Sequence, residues 1–201
     1  MLILAGLGNP GPKHAGQRHN VGFMAADALH DRWGFSPWRG RFQGFAAEGT
    51  VAGERALLLK PQTFMNDSGR SIGEAAKFYK TPPAQVVVFY DEIDMAPGRF
   101  RMKTGGGAAG HNGVRSTAAH IGPDFRRARI GVGHPGDKER VMGHVLSDFH
   151  KADHVWLDPL LRELADALPL LVAGEDEKYQ AEVMRLAPAE KFDSRMRNRD
   201  A

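Results

Sequence analysis

The apolar positions of this chain change their spacing several times, and the changes predict alternating strands and helices. Residues 2–7 form a short apolar run closed by Gly and Pro, which reads as a buried strand. From Val21 the spacing becomes i, i+3, i+4, i+7, i+8 through Val21, Met24, Ala25, Ala28 and Leu29, a helix ending near Gly34. Residues 42–51 and 54–60 read as a hairpin around Ala52-Gly53. Ile72, Ala75, Ala76 and Tyr79 mark one face of a helix at 68–80, stopped by Pro82-Pro83. Val86-Val87-Val88-Phe89 centres a buried strand at 85–90, and 99–103 and 126–132 read as two more strands. Between those two, 112–121 is a helix that Asn112 is placed to cap. Farther on, Leu157, Leu160, Leu161, Leu164, Leu168, Leu171 and Val172 form one helical stripe, with a kink expected at Pro169. Core packing accounts for that stripe. The alternation predicts an α/β fold: one domain over 1–187 with a twisted mixed sheet between helices, and a polar, frayed tail at 188–201.

Composition narrows the class. With 201 residues, 42% of them apolar, the chain can bury about 70% of its unfolded surface, so its core needs no staple. The absence of Cys excludes a disulfide scaffold, thiolate zinc ligands and a Cys nucleophile. No apolar run is long enough to span a membrane, and the opening residues lack the basic start of a signal peptide, so a cytoplasmic location is expected. The net charge of +3 hides a strong polarity. Residues 95–140 carry nine Lys/Arg against three acids, whereas 150–180 carry three against seven. The basic sector fits a phosphate-rich partner or, equally, a solvated face.

Two stretches, 6–11 and 105–110, match G-x-G-x-x-G. A dinucleotide site needs a helix opening at the third Gly, and after Gly11 the helical pattern starts some residues too late. The second stretch does run into a helix and can cradle a phosphate, but it has His111-Asn112 where a P-loop has Lys-Ser/Thr. His150 and His154 lack the Glu of a metalloprotease helix, and no Gly-x-Ser-x-Gly elbow exists. No metal and no cofactor are expected. The polar residues that remain follow predicted strands, where open α/β sheets bind ligands: Asn9, His19-Asn20, Asn66, Asp91 and His111-Asn112. One His, one Asp and several amides can supply a general base, its orienter and neutral donors for an oxyanion, although any single Asn is more readily a cap or turn residue.

Leu7-Gly8-Asn9-Pro10-Gly11, Arg18-His19-Asn20-Val21-Gly22 and Lys60-Pro61-Gln62-Thr63-Phe64-Met65-Asn66 resemble motifs of the bacterial peptidyl-tRNA hydrolase family. So do the run from Asp91 to Gly98, the Gly-rich stretch through Gly110-His111-Asn112-Gly113, and Arg129-Ile130-Gly131-Val132-Gly133-His134-Pro135. The resemblance covers about residues 1–185 in order. It implies a monomeric, cofactor-free enzyme that hydrolyses the ester joining a peptide to tRNA. By the same resemblance His19 is the base, Asp91 its partner, and Asn9 and Asn112 act at the attacked carbonyl. Asn66, Met65, Phe64, Asn112, His111 and His14 meet the substrate, and Lys103 and Arg129 grip the tRNA 5′-phosphate. The chain departs from the family's usual pattern with His14 for Tyr, Ala108-Ala109 for His-Gly, and Tyr90 where His often precedes the Asp. Two other readings are an RNA-binding scaffold of the same fold, which would not need His19, Asp91 and Asn112, and a dinucleotide-dependent oxidoreductase.

Overall fold

The computed structural model describes residues 1–189; the tail expected at 188–201 lies almost wholly outside the described residues. In chain order the strands are β1 (Leu2–Gly6), β2 (Arg39–Arg41), β3 (Gly44–Val51), β4 (Glu54–Pro61), β5 (Val86–Glu92), β6 (Phe100–Thr104) and β7 (Arg126–Gly131). They form one sheet in the order β2-β3-β4-β1-β5-β7-β6. The middle pairs, β4-β1, β1-β5 and β5-β7, are parallel, and each flank is closed by antiparallel strands. The helices are α1 (Val21–Trp33), α2 (Ser68–Tyr79), α3 (Asn112–Ile121), α4 (Val141–Val145), α5 (His154–Asp166), α6 (Leu168–Val172) and α7 (Asp176–Leu186).

Strand alternation divides the core into two layers. Leu4, Val87, Phe89, Ala128 and Ile130 face α1, α5, α6 and α7. Ile3, Ala5, Val86, Val88 and Tyr90 face α2 and α3. β1 and β5 are apolar on both faces because both are covered, as a central parallel pair requires. Each fully buried side chain of this kind contributes about 1.5–3 kcal/mol. The chain leaves β1 into α1 on one face and leaves β4 into α2 on the other. Such a reversal opens a crevice at the carboxyl ends of the strands.

The structure departs from the sequence expectations in three places. Arg39-Gly40-Arg41 forms the exposed edge strand β2, so Phe42 and Gln43, with φ of 56° and 52°, are the turn into β3 and not its first residues. Charge on an edge strand blocks edge-to-edge pairing and also erases the apolar signal. The leucine stripe is two helices, α5 and α6, divided at Ala167. Pro169 sits in the first turn of α6, where no N–H is needed, so the chain breaks ahead of it instead of kinking there. The N-cap of α3 is His111, whose Nδ1 accepts from the amides of Gly113 and Val114, and not Asn112.

Candidate active site

Close backbone contact places the first site residue. A Cβ on Gly22 would lie 2.4 Å from both Leu7 N and Phe89 O, and one on Gly6 would lie 2.0 Å from Gly22 O. Only hydrogen fits between these main chains. The amino end of α1 therefore rests directly on the carboxyl ends of β1 and β5. The helical turn Arg18–Asn20, which leads into α1, then carries His19 over the end of β5.

Asp91, on β5, is the centre of the site. Its carboxylate is 1% exposed and lies 2.8 Å from His19 Nδ1 through one oxygen and 2.8 Å from His111 Nε2 through the other. Burial works to raise the Asp91 pKa, but His111 and His19 outweigh it and hold the carboxyl well below its ordinary value. The hydrogen-bond pattern fixes the protons. His111 Nδ1 accepts two helix amides, so its proton is on Nε2 and is donated to Asp91. His19 donates from Nδ1, which leaves Nε2 as a free acceptor on a side chain that is 12% exposed. The two imidazole centroids are 5.0 Å apart. Tyr90 packs edge-on against His111 at 5.1 Å, its hydroxyl pushed up to about 12, chiefly by burial, and so kept neutral.

A frame of amides adjoins this row. Asn20, 1% exposed, exchanges two 2.9 Å hydrogen bonds with the backbone of Asn9. The Asn9 Oδ1 accepts the Met65 amide at 2.8 Å, so its Nδ2 is the free donor. Met65 is buried beneath the site, in space left open by Gly113, while Phe64 is 64% exposed. Asn66 and Asn112 are exposed, each next in sequence to an anchored residue, and Asn112 Oδ1 accepts from Arg115 at 3.3 Å. His14 pairs with Gln17 at 2.9 Å, and among the described residues no hydrogen bond or ring contact joins it to the His19–Asp91–His111 row. The arrangement offers one imidazole acceptor, a buried anion behind it and side-chain N–H donors in front: groups suited to activating water against a carbonyl. His19, Asp91 and His111 also place one potential ligand atom each within 4.8 Å of one another, but the Asp91-facing nitrogens are already engaged as N–H donors.

The cations form a second region on the far edge of the sheet. Lys103 stands opposite Arg127, and Arg101 opposite Arg129, across the β6-β7 pair. All four therefore share one face, and Lys103 and Arg129 are diagonal neighbours. Arg129 lies 3.8 Å from Glu92, whose carboxyl is raised, mainly by burial and next by Asp94. Not every cation of the basic sector is available to a partner: Arg126 pairs with Asp176 and the Leu171 carbonyl, and Arg127 is buried. The sequence pattern did not reveal the role of Asn20, the second imidazole on Asp91, or the burial of Arg127. Each depends on a partner far away along the chain.

A family model described as Peptidyl-tRNA hydrolase matches residues 3–191. The chain is similar to the peptidyl-tRNA hydrolase of Phenylobacterium zucineum, with 67% identity over 199 residues covering 97% of this chain and 95% of that one. The peptidyl-tRNA hydrolase of Caulobacter vibrioides is 63% identical over 204 residues, with both chains fully covered. Among solved structures, the crystal structure of peptidyl-tRNA hydrolase from Acinetobacter baumannii superposes with a TM-score of 0.88 at 40% identity, covering 94% of this chain and 97% of that one.

Proposed function

The chain belongs to the peptidyl-tRNA hydrolase family, and from that membership we propose how its residues divide the work. The protein hydrolyses the ester of peptidyl-tRNA and releases the tRNA for reuse in translation. His19 Nε2 takes a proton from water as the water oxygen attacks the ester carbonyl carbon. The same proton is then delivered to the ribose oxygen as the C–O bond breaks. Asp91 holds the His19 ring with Nε2 outward and stabilises the imidazolium formed during the step. The Nδ2 groups of Asn9 and Asn112 donate to the carbonyl oxygen as it becomes an oxyanion. Asn66, Phe64, Met65, His111 and His14 contact the peptide and the terminal nucleotides. Lys103 and Arg129 bind the 5′-phosphate next to the acceptor end.

The observation that carries this reading is the pair of 2.8 Å contacts on one buried carboxylate, which leaves a single imidazole nitrogen free as base. On this reading the enzyme acts as a monomer. Among the described residues no helix is long and apolar enough to cross a membrane, and translation supplies the substrate in the cytoplasm, which supports action there.

Neutral amides at the peptide position select against free aminoacyl-tRNA, because burying an ammonium without a partner costs several kcal/mol. The test is incubation with N-acetyl-aminoacyl-tRNA and with free aminoacyl-tRNA, scoring ester cleavage of each. Cleavage of the first with sparing of the second is expected. Equal cleavage of both would overturn the selectivity, and no cleavage of the first would overturn the assigned reaction.

A further inference from the structure

Arg127 is the largest fully buried side chain among the described residues, at 1% exposure, and no carboxylate there lies within ion-pair distance of it. A buried cation needs compensating partners, and these are main-chain carbonyls. Its Nη1 donates to Gly107 O at 2.5 Å, and its Nη2 to Gly106 O at 2.7 Å and Pro123 O at 3.0 Å. The centroid of the Phe125 ring lies 4.5 Å from the guanidinium carbon. Two of the three carbonyls belong to the Gly-rich loop between β6 and α3. One planar fork thus ties that loop to the start of β7, a geometry an ammonium cannot reproduce.

The tether reaches Lys103. Gly106 has φ of 95°, and a Cβ built on it would lie 2.6 Å from Lys103 Nζ and 2.7 Å from its Cε. The lysine tip therefore rests in space that exists because Gly106 has no side chain, and the Gly106 carbonyl is the one Arg127 holds. Lys103 and Arg127 stand directly opposite across the strand pair, an arrangement of like charges that costs stability. Neither forms an ion pair among the described residues, and the pairing of the strands does not require two cations there.

We infer that Arg127 is a positioning residue for phosphate recognition: it pins Gly106 and Gly107, and through Gly106 it seats the Lys103 ammonium. Arg127 itself does not touch the substrate. The inference rests on the reading that Lys103 meets the tRNA 5′-phosphate, and the experiment separates the two. The ratio of kcat/KM for tRNA substrate with and without its 5′-phosphate is measured for wild type, Lys103→Ala, Arg127→Lys and Gly106→Ala. Thermal melting accompanies each assay. Wild type should favour the phosphorylated substrate, and all three variants should bring the ratio down several-fold, toward unity. General loss of structure would lower both rates together and leave the ratio unchanged. Should Arg127→Lys fail to fold, Arg127→Gln takes its place, while Gly106→Ala, which strains the loop at a φ of 95° and presses a Cβ on the Lys103 tip, reports on the seat of that lysine. A wild-type ratio retained in Lys103→Ala overturns the phosphate reading, and this inference with it. A ratio lost in Lys103→Ala but retained in the Arg127 variant overturns the inference alone, whatever Gly106→Ala does.

Discussion

At the carboxyl ends of β1 and β5 polar side chains are held in place: Asp91 takes an N–H from each of two imidazoles, and the Asn20 side chain exchanges two hydrogen bonds with the Asn9 backbone. At the β6-β7 edge Lys103 has no ion-pair partner among the described residues, and its charge faces solvent beside a loop of glycines. The first region is complete before substrate arrives, with one imidazole nitrogen left over. The second holds more cations than anions: Lys103 stands without an ion pair among the described residues, and Arg129 faces Glu92 at 3.8 Å. Chemistry rewards groups fixed in advance, because orientation then costs nothing during the reaction. Phosphate binding works through charge and counterion release and tolerates a softer support.

The largest effect should come from removing the leftover nitrogen. His19→Ala should lower kcat by about 10²–10⁴-fold with little change in KM, since a positioned base contributes that much and phosphate contacts supply the binding. Steady-state kinetics on one peptidyl-tRNA checks this, and a variant above about a tenth of the wild-type rate would remove His19 from the base role. Next comes the seam under the site. Gly22→Ala puts a Cβ against Leu7 N and Phe89 O, so the strand ends and α1 must part. Overpacking of this kind costs about 1–3 kcal/mol. It should show both in denaturant unfolding and as a fall in kcat, because His19 moves with the helix.

The cation edge should respond differently. Lys103→Ala and Arg129→Ala should each raise KM and leave the base machinery intact. Each should also flatten the plot of log affinity against log salt by about 0.7–0.9. Unchanged slopes would reassign both residues to structure. The smallest effect concerns His144, whose ring bonds the Val132 carbonyl at 3.1 Å and whose pKa is lowered, chiefly by burial. A depressed histidine contributes stability above its ordinary value of about 6.5, lost as pH falls below it. His144→Gln should therefore weaken the decline of Tm over that acid range.

How much of this was legible in the sequence depended on how local each cause was. Val86-Val87-Val88-Phe89 announced a covered strand because the pattern and its cause are the same residues. The hairpin at Ala52-Gly53 was readable because two residues at positive φ, 51° and 83°, define such a turn. Arg39-Gly40-Arg41 was not readable, since an exposed edge strand has no apolar face to display. The cap of α3 shows the same limit. Asn is the better cap in general, but His111 takes the role because Asp91, twenty residues earlier in the chain, anchors its other nitrogen. For the same reason Arg127 counted as one cation among nine in the basic sector, although its partners are loop carbonyls it meets only after β6 and β7 pair. The family motifs drew His19, Asp91 and the three asparagines into one candidate site, while the division between a pre-formed row and a cation-rich edge became visible only in three dimensions.

The coupling of His19 to Asp91 is the centre of this account, and the pH–rate profile of Asp91→Asn measures it most directly. Single-turnover rates, with the chemical step confirmed as limiting, are compared with wild type across the acid range. Loss of the carboxylate removes what stabilises the imidazolium, so the plateau should fall and the acidic limb should move to lower pH. An acidic limb that stays where wild type has it would mean that Asp91 does not act through His19, and the account would fail at its core.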